Sequence, residues 1–225
     1  PNINALKDAG MNFTNGYSAA ALCSPTRAAL MTGRYPPRTG VTNFIHRQAT
    51  ENPDGYEGSA AQEYLTPQRN LFLEPEEVTV AEAIKPAGYV SYHVGKWHLG
   101  GAADWQLPDA QGFDEQLMGE CPRDYWDPYE DCPSLPSRQT GEYLTDRLTD
   151  EAINIIQTAH GTGKPFFMHL SHHAPHTPIQ AKQIYINYFN SKPKPAGWEH
   201  LDSTYAAMLK SVDDSVGDIV AELDR

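Results

Sequence analysis

Tyr89-Val90-Ser91-Tyr92-His93-Val94, running straight into Gly95-Lys96-Trp97-His98-Leu99-Gly100, decides the fold. The first half is rich in aromatic and β-branched residues and reads as a strand. The second half opens and closes on glycine, which permits a tight turn that presents Lys96 and His98 on the same side. Just upstream, Thr79 to Ala87 reads as a helix, with Glu82 three residues after Thr79 in a capping-box pattern. A helix, a strand and a polar turn in that order form the repeating unit of an α/β protein. In such folds ligands gather beyond the carboxyl ends of the strands.

The alternation continues on both sides. A helix is predicted from about Glu142 to Ala159, and Lys164 to Ser171, with the apolar run Phe166-Phe167-Met168-His169-Leu170, reads as a buried strand. The last helix spans about Ser203 to Leu223, with Ala206, Leu209, Val212, Val216, Ile219 and Val220 as its apolar stripe. Residues 2–10 read as a helix closing at Gly10, and Asn12 to Tyr17 as either a short strand or an extended link. Pro36 to Pro75 and Gly100 to Ser137 are rich in turn formers, lack periodicity, and read as excursions near a site. The fold class is therefore α/β, a mostly parallel sheet flanked by helices.

Composition narrows the function classes. A chain of 225 residues can bury a substantial core as one domain. With 29 acidic and 17 basic residues, its net charge of −12 argues against nucleic acid as a partner. It leaves room for an anionic substrate in a locally basic cleft. No run of about 18 apolar residues occurs, so no membrane span is expected. The sequence opens at Pro1-Asn2-Ile3 with no basic region and apolar core, so no signal peptide is read; mature secreted proteins lack one too. Of the three cysteines, Cys121 and Cys132 flank a loop rich in Pro, Asp and Tyr and are either a disulfide or two unpaired thiols. Asn12-Phe13-Thr14 is a formal glycosylation triplet of a kind that arises often by chance.

The third cysteine stands in Cys23-Ser24-Pro25-Thr26-Arg27. The run onward to Thr32 and Gly33 reads as a short helix, with Pro25 in its first turn and Gly33 as its C-cap. Cys23 then sits at the helix start, where free N–H groups favour an anion, and Arg27 returns to the same face one turn later. Taken alone, such a cysteine is usually a small buried hydrophobe and such an arginine is usually solvated. The string as a whole, with Ala28-Ala29-Leu30-Met31-Thr32-Gly33-Arg34-Tyr35-Pro36-Pro37-Arg38-Thr39-Gly40-Val41, closely resembles the signature of the type I sulfatases, members of the alkaline phosphatase superfamily. Cysteine phosphatases need a wider gap between Cys and Arg than the three residues found here.

Two further strings carry the resemblance. Gly95 to Gly100 resembles the second sulfatase signature, in which the lysine contacts the sulfate and the histidine contacts formylglycine. His172-His173-Ala174-Pro175-His176-Thr177-Pro178 resembles the loop whose histidine binds sulfate near the leaving oxygen, a position that His176 matches. Three histidines this close also invite a zinc reading, a minority view because the prolines hold an extended loop and the adjacent pair does not readily face one ion. His172 and His173 are read as structural hydrogen-bonding residues. His46, His93, His160, His169 and His200 receive no functional claim.

The resemblance implies a fold, a reaction and a set of roles. The fold is the alkaline-phosphatase-like sulfatase fold, and residues 1–225 are the central part of one catalytic domain, incomplete at both ends. The reaction is hydrolysis of a sulfate monoester by a formylglycine made from Cys23. A hydroxyl of its gem-diol attacks sulfur, and the sulfated hemiacetal then collapses to aldehyde and free sulfate. Arg27, Lys96 and His176 neutralise and bind the sulfate, His176 protonates the leaving alcohol, and His98 serves as base for the collapse. Calcium is the implied metal, with Cys23 in its modified form as one ligand; the aspartate and asparagine ligands of the family lie before and after this chain. Asp213-Asp214 does not match that metal pair and is read as a helix face. The implied partners are a sulfated small molecule or carbohydrate and a formylglycine-generating or anaerobic maturation enzyme, in a periplasmic, secreted or lysosomal-type compartment. Competing readings are a phosphate or phosphonate monoester hydrolase of the same superfamily, an inactive anion-binding homologue, and a thiol-dependent hydrolase. The aromatic side chains of Tyr56, Tyr64, Trp105, Tyr125, Trp126 and Tyr129 are read by default as packing their loops.

Overall fold

The strand predicted at Tyr89–Val94 is present as β1 (Val90–Gly95), and everything from Ser91 onward in it is buried. The computed structural model describes residues 1–45, 69–101, 103–117, 124–127, 129, 135, 139–194, 197 and 202–225. It divides into two units. One, the sheet unit, comprises Asn15–Glu120 and Lys164–His169; the other, the helical unit, comprises Pro1–Thr14, Cys121–Gly163 and Leu170–Arg225.

In the sheet unit β1 is the middle strand of three. It pairs in parallel with β2 (Glu115–Leu117), with Tyr92 opposite Glu115, and has β3 (Phe166–Ser171) on its other side. The Val90 N–H donates to the Pro165 carbonyl at 3.0 Å. β2 was not expected: three residues, one charged and one amide, carry too little pattern to stand out from the irregular segment around them. Ahead of β1 lies α4 (Val80–Ile84), extended by a 3₁₀ turn over Lys85–Ala87. Both halves of its capping box form: the Glu82 N–H donates to Thr79 Oγ1 at 3.3 Å and the Thr79 N–H to Glu82 Oε2 at 2.8 Å. The core joins α2 (Cys23–Thr32) to α4 and to the turn after β1 through Ala28, Met31, Leu73, Ala81, Trp97, Leu99 and Phe113. Trp97 and Phe113 meet edge to face at 6.0 Å, and the indole N–H of Trp97 donates to the Gln106 carbonyl at 2.9 Å. Gly100 has φ +137°, and a Cβ there would come 2.6 Å from Cβ of Gln106, so the motif's second glycine is required by both conformation and space.

A short helix, α3 (Pro36–Thr39), follows α2. The segment after it is tied at its two ends. The Ile45 N–H donates to Ser24 Oγ at 3.0 Å, Arg69 Nη1 to the Phe44 carbonyl at 2.6 Å, and the Asn70 N–H to the Gly40 carbonyl at 2.9 Å. Cys121, Cys132, His46, His200, Tyr56 and Tyr64 lie outside the described residues. Of the remaining aromatics, Tyr125 and Tyr129 are buried and Trp126 lies against Tyr143 at 4.9 Å, in line with the packing default, whereas Trp105 meets Phe72 edge to face at 4.8 Å but stays exposed.

The helical unit contains α1 (Asn2–Ala9), α5 (Leu144–Thr162), α6 (Gln183–Asn190) and α7 (Ser203–Leu223). Asn12 to Tyr17 forms no strand and is the link of the two alternatives. The apolar face of α5 buries Leu144, Leu148, Ala152, Ile156 and Ala159 at helical spacing. α6 was missed, because Ile184, Tyr185, Ile186, Tyr188 and Phe189 are β-branched or aromatic and no side chain caps its start.

The stripe expected on α7 is corrected. Leu209 is exposed, while Ala207, Met208, Ser211, Asp213 and Ser215 are the buried positions. α7 packs against α5, α6 and α1, and small or hydrogen-bonded residues are what such close neighbours admit. Ser215 Oγ lies 2.7 Å from Thr149 Oγ1, and a Cβ at Gly217 would come 2.5 Å from Asn2 Nδ2. Asp213 accepts the Ile3 N–H at 3.0 Å, and Asp214 accepts the Tyr185 hydroxyl at 2.6 Å and an ion pair from Lys210. Both carboxylates of the expected helix face therefore tie other helices to α7.

Candidate active site

Leu22 is extended and caps α2 without a side-chain bond, so Cys23 is the first helical residue; no acidic side chain stands in the first turn and Gly33 closes the helix at φ +66°. The register sends neighbouring side chains to different places. Ser24 and Pro25 turn into the core, while Cys23, half-buried and in no disulfide, is left at the helix start. Thr26 Oγ1 donates to the Ala20 carbonyl at 2.8 Å and pins the preceding loop.

Arg27 leaves α2 one turn after Cys23 and donates from Nη1 to the carbonyl of Lys96 at 2.6 Å. The first signature is thus joined to the corner that follows β1. Lys96 is 9% exposed, so its side chain is largely withdrawn from water, and a lysine held in that way suits an anionic ligand. His98 holds φ +60°, uncommon outside glycine, and its Nε2 lies 2.7 Å from the Ile45 carbonyl. A carbonyl only accepts, so Nε2 carries the proton and any proton transfer by His98 runs through Nδ1.

Cys23, Arg27, Lys96 and His98 all belong to the sheet unit, whereas His176 belongs to the helical unit. His176 is exposed on the turn after β3, in a loop with cis peptides before Pro175 and Pro178. Its carbonyl accepts the Tyr125 hydroxyl at 2.8 Å, and its Nδ1 donates to the Thr177 carbonyl at 2.7 Å, leaving Nε2 as its acid–base atom. Burial, with Tyr143 alongside, pushes the Tyr125 phenol up, so the hydroxyl remains a donor. His172 makes a structural bond as expected, its Nε2 lying 2.8 Å from Ser215 Oγ, and burial lowers it to about 4. His173 packs against the rings of Tyr125 and His176. Sequence reasoning gave Tyr125 a packing role and made no claim for His93 or His169; a polar residue in the middle of a buried strand was the available signal for that pair.

Among the described residues no group of three or more His, Cys, Asp and Glu side chains converges, so these residues alone make neither a zinc site nor a calcium site. No helix among them is long and apolar enough to cross a membrane.

The model of the Sulfatase family matches residues 1–225. The chain belongs to the sulfatase family. Members of this family generally use a metal ion and formylglycine. This sulfatase-family chain is 33% identical to the N-acetylgalactosamine-6-sulfatase of Mus musculus, covering 100% of the chain and 42% of that protein. It is 29% identical to an ulvan-active sulfatase of Formosa agariphila, over 100% of the chain and 42% of the relative. Among solved structures, Ps i-CgsB in complex with k-i-k-neocarrahexaose superposes with a TM-score of 0.77 at 29% identity, covering 100% of the chain and 49% of that structure. The α/β sulfatase fold is thereby established, and the chain spans less than half the length of these relatives.

Proposed function

We propose that the protein bearing this chain hydrolyses a sulfate monoester to an alcohol and inorganic sulfate, and that residues 1–225 are the central part of its catalytic domain. The observation that carries the reading is the bond from Arg27 to the Lys96 carbonyl, which ties the helix that starts at Cys23 to the backbone of the turn that bears Lys96 and His98. Formylglycine made from Cys23 by a maturation enzyme supplies a hydrated aldehyde whose hydroxyl is the nucleophile. Arg27 and Lys96 hold the sulfate oxygens and spread their charge, which is the main obstacle to attack on an anionic ester. His176, donating from Nε2, gives the leaving oxygen its proton, and His98 accepts a proton through Nδ1. Calcium is expected from the family and would need ligands besides the described residues.

The substrate class we assign is a sulfated carbohydrate. Support comes from the names of the relatives, which include an N-acetylgalactosamine-6-sulfatase and an ulvan-active sulfatase, and from the neocarrahexaose bound to Ps i-CgsB.

Mass spectrometry of the tryptic peptide from Asp8 to Arg27, taken from protein made in its native host, tests the nucleophile. The expected result is a mass lowered by conversion of the Cys23 thiol to an aldehyde, with its hydrate. An unmodified, alkylatable Cys23 overturns it. Parallel assays on 4-nitrophenyl sulfate and 4-nitrophenyl phosphate then test the ester: preferential turnover of the phosphate would reassign the protein to phosphoryl transfer.

A further inference from the structure

His93 occupies the middle of β1 and has no exposed surface. A histidine there must satisfy both ring nitrogens inside the protein. It does so with two different partners: Nε2 lies 2.9 Å from the carbonyl of Gly95, and Nδ1 lies 3.1 Å from Nδ1 of His169 on β3. The ring is held edge-on by Trp97 at 5.2 Å and Phe113 at 5.4 Å, so it has little freedom to turn.

These contacts fix where the protons are. The Gly95 carbonyl can only accept, so His93 carries a proton on Nε2. A neutral His93 then offers a lone pair at Nδ1, and the short approach of the two Nδ1 atoms requires His169 to carry its proton on Nδ1. A second proton on either ring would place a cation inside the cluster with Trp97 and Phe113, which favours the neutral pair. Burial and then the neighbouring His169 lower His93 to about 3, against an upward pull from the Gly95 carbonyl and with a lesser lowering from Arg27. Burial and then Arg27 lower His169 to about 4.

The end of this relay is the corner that carries Lys96. Two consecutive carbonyls are held there by side chains from different elements: Gly95 by His93 of β1, and Lys96 by Arg27 of α2. Gly95 itself stands at φ +104°, which glycine adopts freely, and His98 at φ +60°, a conformation that surrounding bonds must impose. A charged donor in place of His93 would add a cation within reach of Arg27, whereas a neutral imidazole holds the corner without one.

We propose that His93 and His169 form a neutral two-histidine positioning element. His169 Nδ1–H donates to His93 Nδ1, and His93 Nε2–H donates to the Gly95 carbonyl, which aims Lys96 at the anion that Arg27 also meets. The aim at a sulfate rests on the function proposed above; the protonation pattern does not.

The test uses ¹⁵N-histidine-labelled protein and long-range ¹H–¹⁵N correlation spectra, with signals assigned by their loss in His93→Phe and His169→Phe. At pH 7 His93 should be protonated at Nε2 alone and His169 at Nδ1 alone, and neither ring should take up a second proton between pH 8 and 5. His169 in the Nε2–H form, or either ring titrating near the ordinary histidine value of about 6.5, overturns the proposal. The same variants are read kinetically on 4-nitrophenyl sulfate with matured enzyme. His169→Leu should lower kcat/KM by about 10- to 100-fold, chiefly by raising KM. His169→Asn, which restores an N–H donor where Nδ1 stood, should recover most of that loss. A folded His169→Leu enzyme with unchanged kcat/KM would show the pair to be core filling and would defeat the proposal. Absence of sulfate turnover in wild-type enzyme would count against the proposed function alone, because the tautomers still decide the pair. They are read on wild-type protein, and where a variant fails to fold the two rings are assigned by through-bond correlation from their own Cβ and backbone signals, so the decision is not blocked.

Discussion

The corner after β1 and the loop after β3 are built in opposite ways. The corner is held through its backbone by side chains of two elements, Arg27 of α2 and His93 of β1, and its lysine is nearly buried. The loop leaves His176 exposed and is held from one side by the Tyr125 hydroxyl, with His172 anchoring its base to Ser215. Binding an oxyanion needs fixed, partly desolvated positive charge, which a rigid corner supplies. Delivering a proton needs a ring that water can reprotonate, which an exposed loop supplies. Under the function proposed above, the corner would hold charge and the loop would move a proton.

The sharpest way to break the comparison is Arg27→Ala, which removes a guanidinium from the anion and the tie to the Lys96 carbonyl together. A loss of about 10³-fold in kcat/KM on 4-nitrophenyl sulfate is expected, with Arg27→Lys recovering only part of it. A loss below tenfold would mean that the corner does not depend on α2. His176→Ala should cost about 10²-fold in kcat on alkyl sulfates and much less on 4-nitrophenyl sulfate, whose leaving group needs no proton. Equal losses on both would assign His176 to binding rather than to proton delivery.

The third prediction concerns acid. His172 is neutral in the folded protein at about 4, whereas an unfolded histidine titrates near 6.5, so the unfolded chain binds the extra proton first as pH falls. Its contribution is fully present above about pH 6.5 and is lost towards pH 4, on the order of 3 kcal/mol in all. Urea unfolding at pH 7 and pH 4.5 measures it. His172→Gln, which keeps a donor for Ser215 and has no proton to gain, should show a flatter pH dependence than wild type. The same slope in both proteins would locate the acid sensitivity elsewhere. Smallest is Tyr125→Phe, which removes the bond to the His176 carbonyl and should cost about 1 kcal/mol in thermal stability. If the loop alone is loosened, kcat should fall by a few fold with KM unchanged; a rise in KM would mean that the loop also binds substrate.

Local rules made part of this molecule legible. Pro25 and Gly33 mark the start and end of α2, Thr79 and Glu82 mark α4, and the β-branched and aromatic run gives β1 within a residue at each end. Each of those signals acts within a few positions of itself. What stayed hidden depends on partners distant in sequence. The buried side of α7 is chosen by three helices at once, so Ser211 and Ser215 go inside while Leu209 stays out. α6 forms although its isoleucines and aromatics favour strands, because tertiary packing outweighs propensity. Arg27 and Lys96 were each picked out by their own motif, but nothing in either string shows that a guanidinium of one would bond the carbonyl of the other. His93 and His169, far apart in sequence, acquire a joint role only when β1 and β3 lie side by side.

The ties at Phe44–Arg69 and Gly40–Asn70 bear on how such a protein diversifies. They close a stem, so the chain between Ile45 and Arg69 leaves and returns at fixed points whatever its sequence. The helix that carries Cys23 is thereby insulated, at these few anchoring residues, from changes in chain length between Ile45 and Arg69, a division of anchoring from variation that one continuous element would not allow.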